Sequence, residues 1–333
     1  MATNSSTMRA VVQDGYGTPA RVLRPAEIRR PSVGATGVLI RVRATSVNTP
    51  DWATVAGVPY ILRLGSGLRR PKHPVRGSDV AGVVEAVGRH VTDFRPGDEV
   101  FGSLWGGAAS QAGTFAEYTV APATQLVRKP PGLGFEEAAA SVMCGLTAMA
   151  AMRDVGGGTR VLINGASGGV GTLAIQIAKA QGAEVTGVCG NGNVELVRSL
   201  GADHVIDYTR EDFTGSRRRF DVILDNVLNH PPRATARLLA PDGVLIPNSI
   251  GNGGGLLAGL PRSARAAMMG RFATNVKFVR IAANHGTLAA LSTLLESGAV
   301  RVVIDKTYSL DNAASAVAHM LGHHARGKVA VTV

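Results

Sequence analysis

The chain is poor in cysteine, in lysine and in long apolar runs, and each shortage excludes something. Two cysteines, Cys144 and Cys189, stand among 333 residues. That is too few for a disulfide framework or a four-cysteine structural zinc lobe, so a reducing compartment fits and the cytoplasm is the expected location. Of 35 basic residues only 6 are lysine. The arginines are scattered, and the tightest groups, Arg69-Arg70 and Arg217-Arg218-Arg219, carry no interleaved aromatics. A net charge of +11 therefore describes an arginine-rich solvated surface, and no nucleic-acid partner is expected. The longest low-charge stretch, Ala138 to Met152, falls short of the ~20 residues a membrane span needs and reads as a buried helix. The residues Met1 to Thr7 are small and polar, without the apolar core of a signal peptide, and are expected to form a disordered tail. No membrane partner is expected on these grounds.

What is present is an ordinary globular composition, long enough for two domains with cores of their own. Up to residue 126 the chain reads as short strands cut by turns: Arg9-Val12, Val38-Asn48, Val80-Val87, Glu99-Phe101 and Phe115-Val120, with Pro96-Gly97-Asp98 and Gly106-Gly107 as punctuation. That texture predicts a partly closed β-barrel. From residue 127 strands and helices alternate: helix Glu136–Met152, strand Val161–Asn164, helix Gly169–Ala180, strand Glu184–Val188 and helix Val194–Leu200. Strands His204–Ile206, Asp221–Leu224, Val244–Pro247 and Val276–Ile281 follow. Such alternation builds a doubly wound parallel sheet over 127–285. The segments Val300–Tyr308 and Lys328–Val333 read as strands that return, with the rest of 286–333, to the first domain. The first domain is then discontinuous.

The most informative stretch runs from Arg160 to Thr172. A buried strand, Val161-Leu162-Ile163-Asn164, enters the turn Gly165-Ala166-Ser167-Gly168-Gly169 and then a helix whose apolar residues Val170, Leu173, Ala174, Ile177 and Ala178 recur with helical spacing. Gly182 supplies a left-handed stop. A dinucleotide needs a tight turn, a backbone bare enough for its diphosphate to approach, and a helix N-terminus aimed at the charge. Gly168 and Gly171 meet the last two needs, and Ala166 stands at the first-glycine position. At the end of the next strand, where an NAD site carries a carboxylate for the ribose hydroxyls, the run is Cys189-Gly190-Asn191-Gly192-Asn193. With no acid to repel a 2′-phosphate, NADPH is the expected cofactor, and NADH remains possible because no cation grips the phosphate either.

These residues resemble the zinc-independent medium-chain dehydrogenases/reductases of the quinone oxidoreductase type. The resemblance rests on Asn164-Gly165-Ala166-Ser167-Gly168-Gly169-Val170-Gly171, on Ala202-Asp203-His204-Val205-Ile206-Asp207-Tyr208 and on Pro96-Gly97-Asp98-Glu99-Val100-Phe101-Gly102. Met8-Arg9-Ala10-Val11-Val12 and Arg326-Gly327-Lys328-Val329 fit it too. It implies a GroES-like catalytic domain, a Rossmann domain, an active site in the cleft between them and a homodimer. It implies nucleotide contacts from Ser167, Gly168, Gly169, Val170 and Gly171, from Gly190 and Asn193 at the adenosine ribose, and from Tyr208 near its phosphate. Zinc-using members have a Cys where this chain has Asn48, and a Gly-His-Glu motif where it has Gly77-Ser78-Asp79. No zinc and no other metal site is expected. Without a Lewis acid, hydride transfer to an already activated acceptor, a quinone or an α,β-unsaturated carbonyl, is the chemistry implied.

Asn226, Ser249 and Ile250 follow strands of the parallel sheet, where such sheets line their ligand crevice, and are expected near the nicotinamide half. The Asn48 amide is a candidate donor to the acceptor oxygen, or a cap on the turn before Pro50. Asp51 is a candidate proton relay, or a helix cap. Tyr60 is a candidate acid, or a structural ring. An enoyl-thioester reductase, and a non-catalytic NADP(H)-binding redox sensor, are the alternative functions. His323-His324 diverge too far on a helix to share an ion. Gly251 to Arg271 reads as a flap, a subunit contact or a loop with one covering helix.

Overall fold

The structure, a computed structural model, describes residues 6–60, 63–105, 113–249, 275–322 and 325–333, with Ala264 and Met268 besides. Of the sequence expectations, Ile250, His323-His324 and nearly all of Gly251–Arg271 lie outside the described residues. Two compact units emerge: residues 1–146, 282–298 and 304–333 form the first, and residues 147–281 and 299–303 the second.

In the first unit, β1 (Thr7–Gln13) pairs antiparallel with β2 (Leu23–Arg29) across the single turn α1 (Pro19–Val22). Thr7 is thus a strand residue rather than the end of a tail, and its hydroxyl donates to Glu27. The strand β3 (Gly37–Ser46) shows why this stretch is β: Val38, Ile40, Val42 and Ala44 are buried while Arg41 and Arg43 between them are exposed, the period of two of a sheet with one face in the core. It leads to α2 (Thr49–Ala56), α3 (Arg63–Ser66) and β4 (Asp79–Val87), then to β5 (Glu99–Ser103), β6 (Tyr118–Pro122), β7 (Leu126–Arg128) and the long helix α4 (Phe135–Ala151).

The second unit holds β8 (Arg160–Asn164), α5 (Gly169–Ala180), β9 (Glu184–Cys189), α6 (Val194–Ser199), β10 (His204–Asp207), β11 (Phe220–Asp225), α7 (Pro232–Ala236) and β12 (Leu239–Pro247). Its five strands are parallel in the order β10-β9-β8-β11-β12. The order reverses between β8 and β11, the topological switch point at which such sheets open a ligand crevice. Leu162, Val188, Phe213, Phe220, Ile223, Leu238 and Leu245 form one core cluster of this unit, and each such side chain contributes about 1.5–3 kcal/mol by leaving water. The expected strand Val276–Ile281 reduces to a single parallel bridge between Val276 and Leu245.

The chain then returns through α8 (His285–Glu296), β13 (Ile304–Ser309), α9 (Ala313–Leu321) and β14 (Lys328–Thr332). These last strands join the first unit's sheet, in the order β13-β14-β3-β4-β5-β7 with β6 also on β3. The unit boundaries differ from 126 and 285 for local reasons. The β7 strand pairs with β5, and α4 donates from the Met143 N–H to Asp79, so the first unit extends to 146. The buried Gln176 side chain donates to Arg301 O and accepts from Arg301 N, both at 2.9 Å, which ties 299–303 to the second unit.

Candidate functional site

The glycine turn lies between β8 and α5, at the switch point of the parallel sheet. Its sharp bend falls at Gly165, with φ +76, a left-handed conformation that a side chain resists. The bend is one residue earlier than the Ala166 position expected from the spacing, because Ala166 is fully buried and its N–H is committed to Val188 O at 2.9 Å. Gly171 is glycine for packing: a Cβ there would lie 2.2 Å from Gly165 O and 2.8 Å from Ala166 Cα. Gly168 is different, since a Cβ would meet only Gly165 O at 3.5 Å. Nothing in the fold requires a glycine at 168. Ser167, Gly168, Gly169 and Val170 are half-buried between fully buried neighbours. They stand at the start of a twelve-residue helix whose first N–H groups lack intrahelical partners. This bare backbone fits a diphosphate.

At the end of β9, Gly190 begins a short 3-10 turn, Asn191–Asn193, in which the Asn193 N–H donates to Gly190 O at 2.9 Å. Tyr208 is held beside it by its N–H to Cys189 O at 3.0 Å, and its ring covers Gly190 closely enough that a Cβ there would sit 3.0 Å from the hydroxyl. Gly190, Asn193 and Tyr208 therefore form one partly exposed ledge. Burial pushes the Cys189 thiol up to about 11, so it packs as a small apolar side chain.

At the ends of β11 and β12 the amides interlock. Asn226 donates to Asn164 O at 3.2 Å and accepts from Asn248 at 2.8 Å, while Asn164 donates to Asp225 at 2.8 Å. The Asp225 Oδ1 also accepts from Val227 N and Leu228 N, which fixes the bend after β11. Ser249 follows, half-buried. Asp225 escaped the sequence analysis because a carboxylate closing a strand signals nothing by its spacing.

The first unit buries a polar cluster where β3 runs into α2. Asn48 is the N-cap of α2, and Asp51 at its third position reaches back to accept from the Asn48 N–H at 2.9 Å. Of the two cap expectations, Asn48 takes the cap position and Asp51 braces it from within the first turn. The side chain of Asn48, only 3% exposed, donates to Asp79 Oδ2 at 2.8 Å and accepts from the Lys328 ammonium at 2.5 Å. Its remaining N–H lies 3.5 Å from Ser46 Oγ. The amide expected to donate to a substrate oxygen is thus spent inside the protein, because a buried anion and a buried cation claim its two ends.

Asp79 also accepts from Ser46 Oγ at 2.8 Å, and Lys328 also donates to Val47 O at 2.9 Å. Burial pushes both carboxyls up. Asp51 rises to about 7, driven by burial and then by the Asp79 carboxylate, against the pull of the Asn48 N–H, Lys328 and Arg76. Asp79 rises through burial, opposed by Lys328, Asn48, Ser46 and the Met143 N–H. Arg76 in turn is lowered by burial and held up by Tyr16 and Asp51. Lys328 and Asp79 were missed as site residues. Each is one charge at the edge of an apolar strand, and only the pairing of β14 and of β4 with β3 brings them to the same place.

Tyr60 does not join this cluster by any described hydrogen bond. It is 42% exposed, with the Arg63 guanidinium 4.1 Å from its ring centroid.

The family model described as an alcohol dehydrogenase GroES-like domain matches residues 34–131, and the model described as a zinc-binding dehydrogenase matches residues 200–331. A chloroplastic quinone oxidoreductase of Triphysaria versicolor is 34% identical over 97% of this chain and 98% of its own. The mitochondrial NAD(P)H oxidoreductase RTN4IP1 of Mus musculus is also 34% identical, over 100% of this chain and 91% of its own. Among solved structures, the quinone oxidoreductase from Coxiella burnetii superposes with a TM-score of 0.86 at 26% identity, covering 98% of this chain and 99% of that one.

Proposed function

Because this chain belongs to the medium-chain dehydrogenases/reductases, next to their quinone oxidoreductases, we propose that it is an NADPH-preferring, zinc-independent reductase of quinones or α,β-unsaturated carbonyls. That it is an oxidoreductase follows from its relatives. The finer reading is supported by a backbone at Gly168 with room for an approaching group, followed at the end of β9 by Cys189 to Asn193, a run without a carboxylate. Ser167 to Gly171 would hold the diphosphate, and Gly190, Asn193 and Tyr208 the adenosine ribose with its 2′-phosphate. Asn226 and Ser249 would face the nicotinamide half. The bound dinucleotide supplies a hydride, and the chain supplies orientation and a proton.

Zinc independence is supported by what stands in the cluster. A metal cation competing for Asn48 would meet the Lys328 ammonium already on its Oδ1, and like charges repel strongly in a dry interior. Asn48 therefore acts as a positioning residue. Asp51, with its carboxyl near neutrality, is the group of the first unit suited to hold and pass a proton at physiological pH. The cytoplasm fits the two cysteines, both buried and free, and a homodimer is the expected assembly. Scattered surface ion pairs such as Arg9–Glu117 and Arg160–Asp221 occupy arginines that a nucleic acid would need.

The test is a titration of the purified chain with NADPH and NADH, followed by a panel of quinones, enones and enoyl thioesters while reduced-cofactor absorbance is recorded. The expected result is tighter binding of NADPH and turnover of quinones or enones. Turnover confined to enoyl thioesters would establish the thioester reductase instead, and tight NADPH binding without any oxidation would establish a sensor.

A further inference from the structure

Between Asp51 and Asp79 the chain contains no carboxylate, yet it carries Arg63, Arg69, Arg70, Lys72 and Arg76. Some arginines elsewhere find acids, as Arg9, Arg24, Arg30, Arg128, Arg160, Arg198 and Arg218 do, while others such as Arg210, Arg217 and Arg237 have no described ion pair but carry no exposed leucines beside them. Arg69, Arg70 and Lys72 have no ion pair with any described residue, and the undescribed segments contain no Asp or Glu that might supply one. All three are exposed. The same loop turns two leucines outward, Leu64 at 71% and Leu68 at 66% exposed. Leucines that exposed cost solvation free energy without return in an isolated chain.

Arg63 and Gly67 are tied to the rest of the first unit. The Arg63 side chain donates to Gly57 O at 2.8 Å and to Ala56 O at 3.2 Å, and stacks between the Tyr16 and Tyr60 rings at 4.4 and 4.1 Å. Tyr16 donates to Gly67 O at 2.6 Å, and the Gly67 N–H to Arg63 O at 2.8 Å. Leu64 and Leu68 therefore lie beside a basic rim that has no acidic counterpart among the described residues.

We propose that the segment Arg63–Lys72 docks this protein on an anionic phospholipid surface, with Leu64 and Leu68 entering the headgroup boundary and Arg69, Arg70 and Lys72 meeting the lipid phosphates. This departs from the sequence-based expectation of no membrane partner. That expectation rested on spanning, and among the described residues no helix is long and apolar enough to cross a membrane. Lying against a surface needs only a few apolar side chains and a basic rim. A bilayer fits better than an acidic protein because the tip joins apolar reach to unpaired charge in one short loop.

The test is co-sedimentation of the full chain with vesicles of phosphatidylcholine alone or with about one-third phosphatidylglycerol, scored by partition and not by turnover, so the result is independent of the reductase reading. Binding is expected only to the anionic vesicles and is expected to weaken steeply with added salt. Removing charge in Arg69→Gln/Arg70→Gln/Lys72→Gln is expected to lower partition by about 100-fold, near fivefold per charge. Leu64→Ser/Leu68→Ser is expected to lower it by about tenfold or more. Unchanged melting temperatures would show that both variants fold. Arg210→Gln/Arg217→Gln/Arg237→Gln removes equal charge from exposed arginines of the other unit and is expected to leave partition within twofold of wild type. Equal loss in this control would mean that net charge alone binds lipid, which overturns the proposal. So would equal binding to neutral vesicles, or sedimentation velocity showing that the leucine variant splits a dimer while neither protein binds vesicles.

Discussion

The glycine turn of the second unit and the polar cluster of the first handle charge in opposite ways. The turn offers backbone alone, without a charged side chain from Gly165 to Gly171. The cluster has brought its charges inside during folding and has to balance them there, with an amide from Asn48 set between Lys328 and Asp79. One region depends on what is missing and the other on what is present. A backbone site fails when an atom is added, and a buried network fails when an atom is taken away.

The largest effect is expected from subtraction. Lys328→Met strands Asp79 as a buried carboxylate and frees Asn48 Oδ1 in a dry interior, at a cost of about 3–5 kcal/mol in urea unfolding. Asp79→Leu added to it is expected to recover much of that loss, and a double variant no more stable than Lys328→Met would show the two are not coupled.

Addition to the turn comes next. Gly171→Val places its Cβ against Gly165 O and Ala166, so the turn itself has to move, with a loss of about 2–3 kcal/mol in stability and of NADPH binding by calorimetry.

Protonation sharpens the contrast further. An Asp with an ordinary pKa of about 3.9 when unfolded and about 7 when folded binds an extra proton in the native state. Its contribution to stability is present at low pH and is lost as pH rises through 7. Asp51→Asn keeps an acceptor for the Asn48 N–H but has no proton to lose. Wild-type stability minus that of the variant is therefore expected to fall by about 1–3 kcal/mol between pH 5 and pH 8. Parallel stability curves would place Asp51 in the ordinary carboxyl range.

The smallest effect discriminates best. At Gly168 the backbone is extended, with φ −82 and ψ 177, so Gly168→Ala is expected to leave unfolding free energy within about 0.5 kcal/mol of wild type. It should still weaken NADPH binding by about tenfold, since even a methyl keeps a diphosphate from the helix start. A stability loss without a binding loss would mean that Gly168 serves packing, as Gly171 does.

Much of this molecule was legible from residue order. Apolar spacing placed α5 at Gly169–Ala180, and turn punctuation placed β3 and β4, because both signals are carried by residues close together in one segment. The sheet ends carrying Asn226 and Ser249 followed from strands whose order obeys a general rule. Some positions were less legible: Gly165 rather than Ala166 makes the bend, since φ depends on which N–H the neighbouring strand claims, here Ala166 to Val188.

The amino-acid order by itself determined the two textures of the chain, the glycine turn between β8 and α5 and the absence of a carboxylate after β9, all carried by neighbours in sequence. Only the tertiary structure decided that Asn48 is committed rather than available, and that Asp51 sits near neutrality. Asn48 is committed because Lys328, 280 positions away, is drawn to it by the pairing of β14 with β3, while Asp51 is raised by burial and by the Asp79 carboxylate against the pull of Lys328. Burial then removes the water that would otherwise have screened every charge in the cluster.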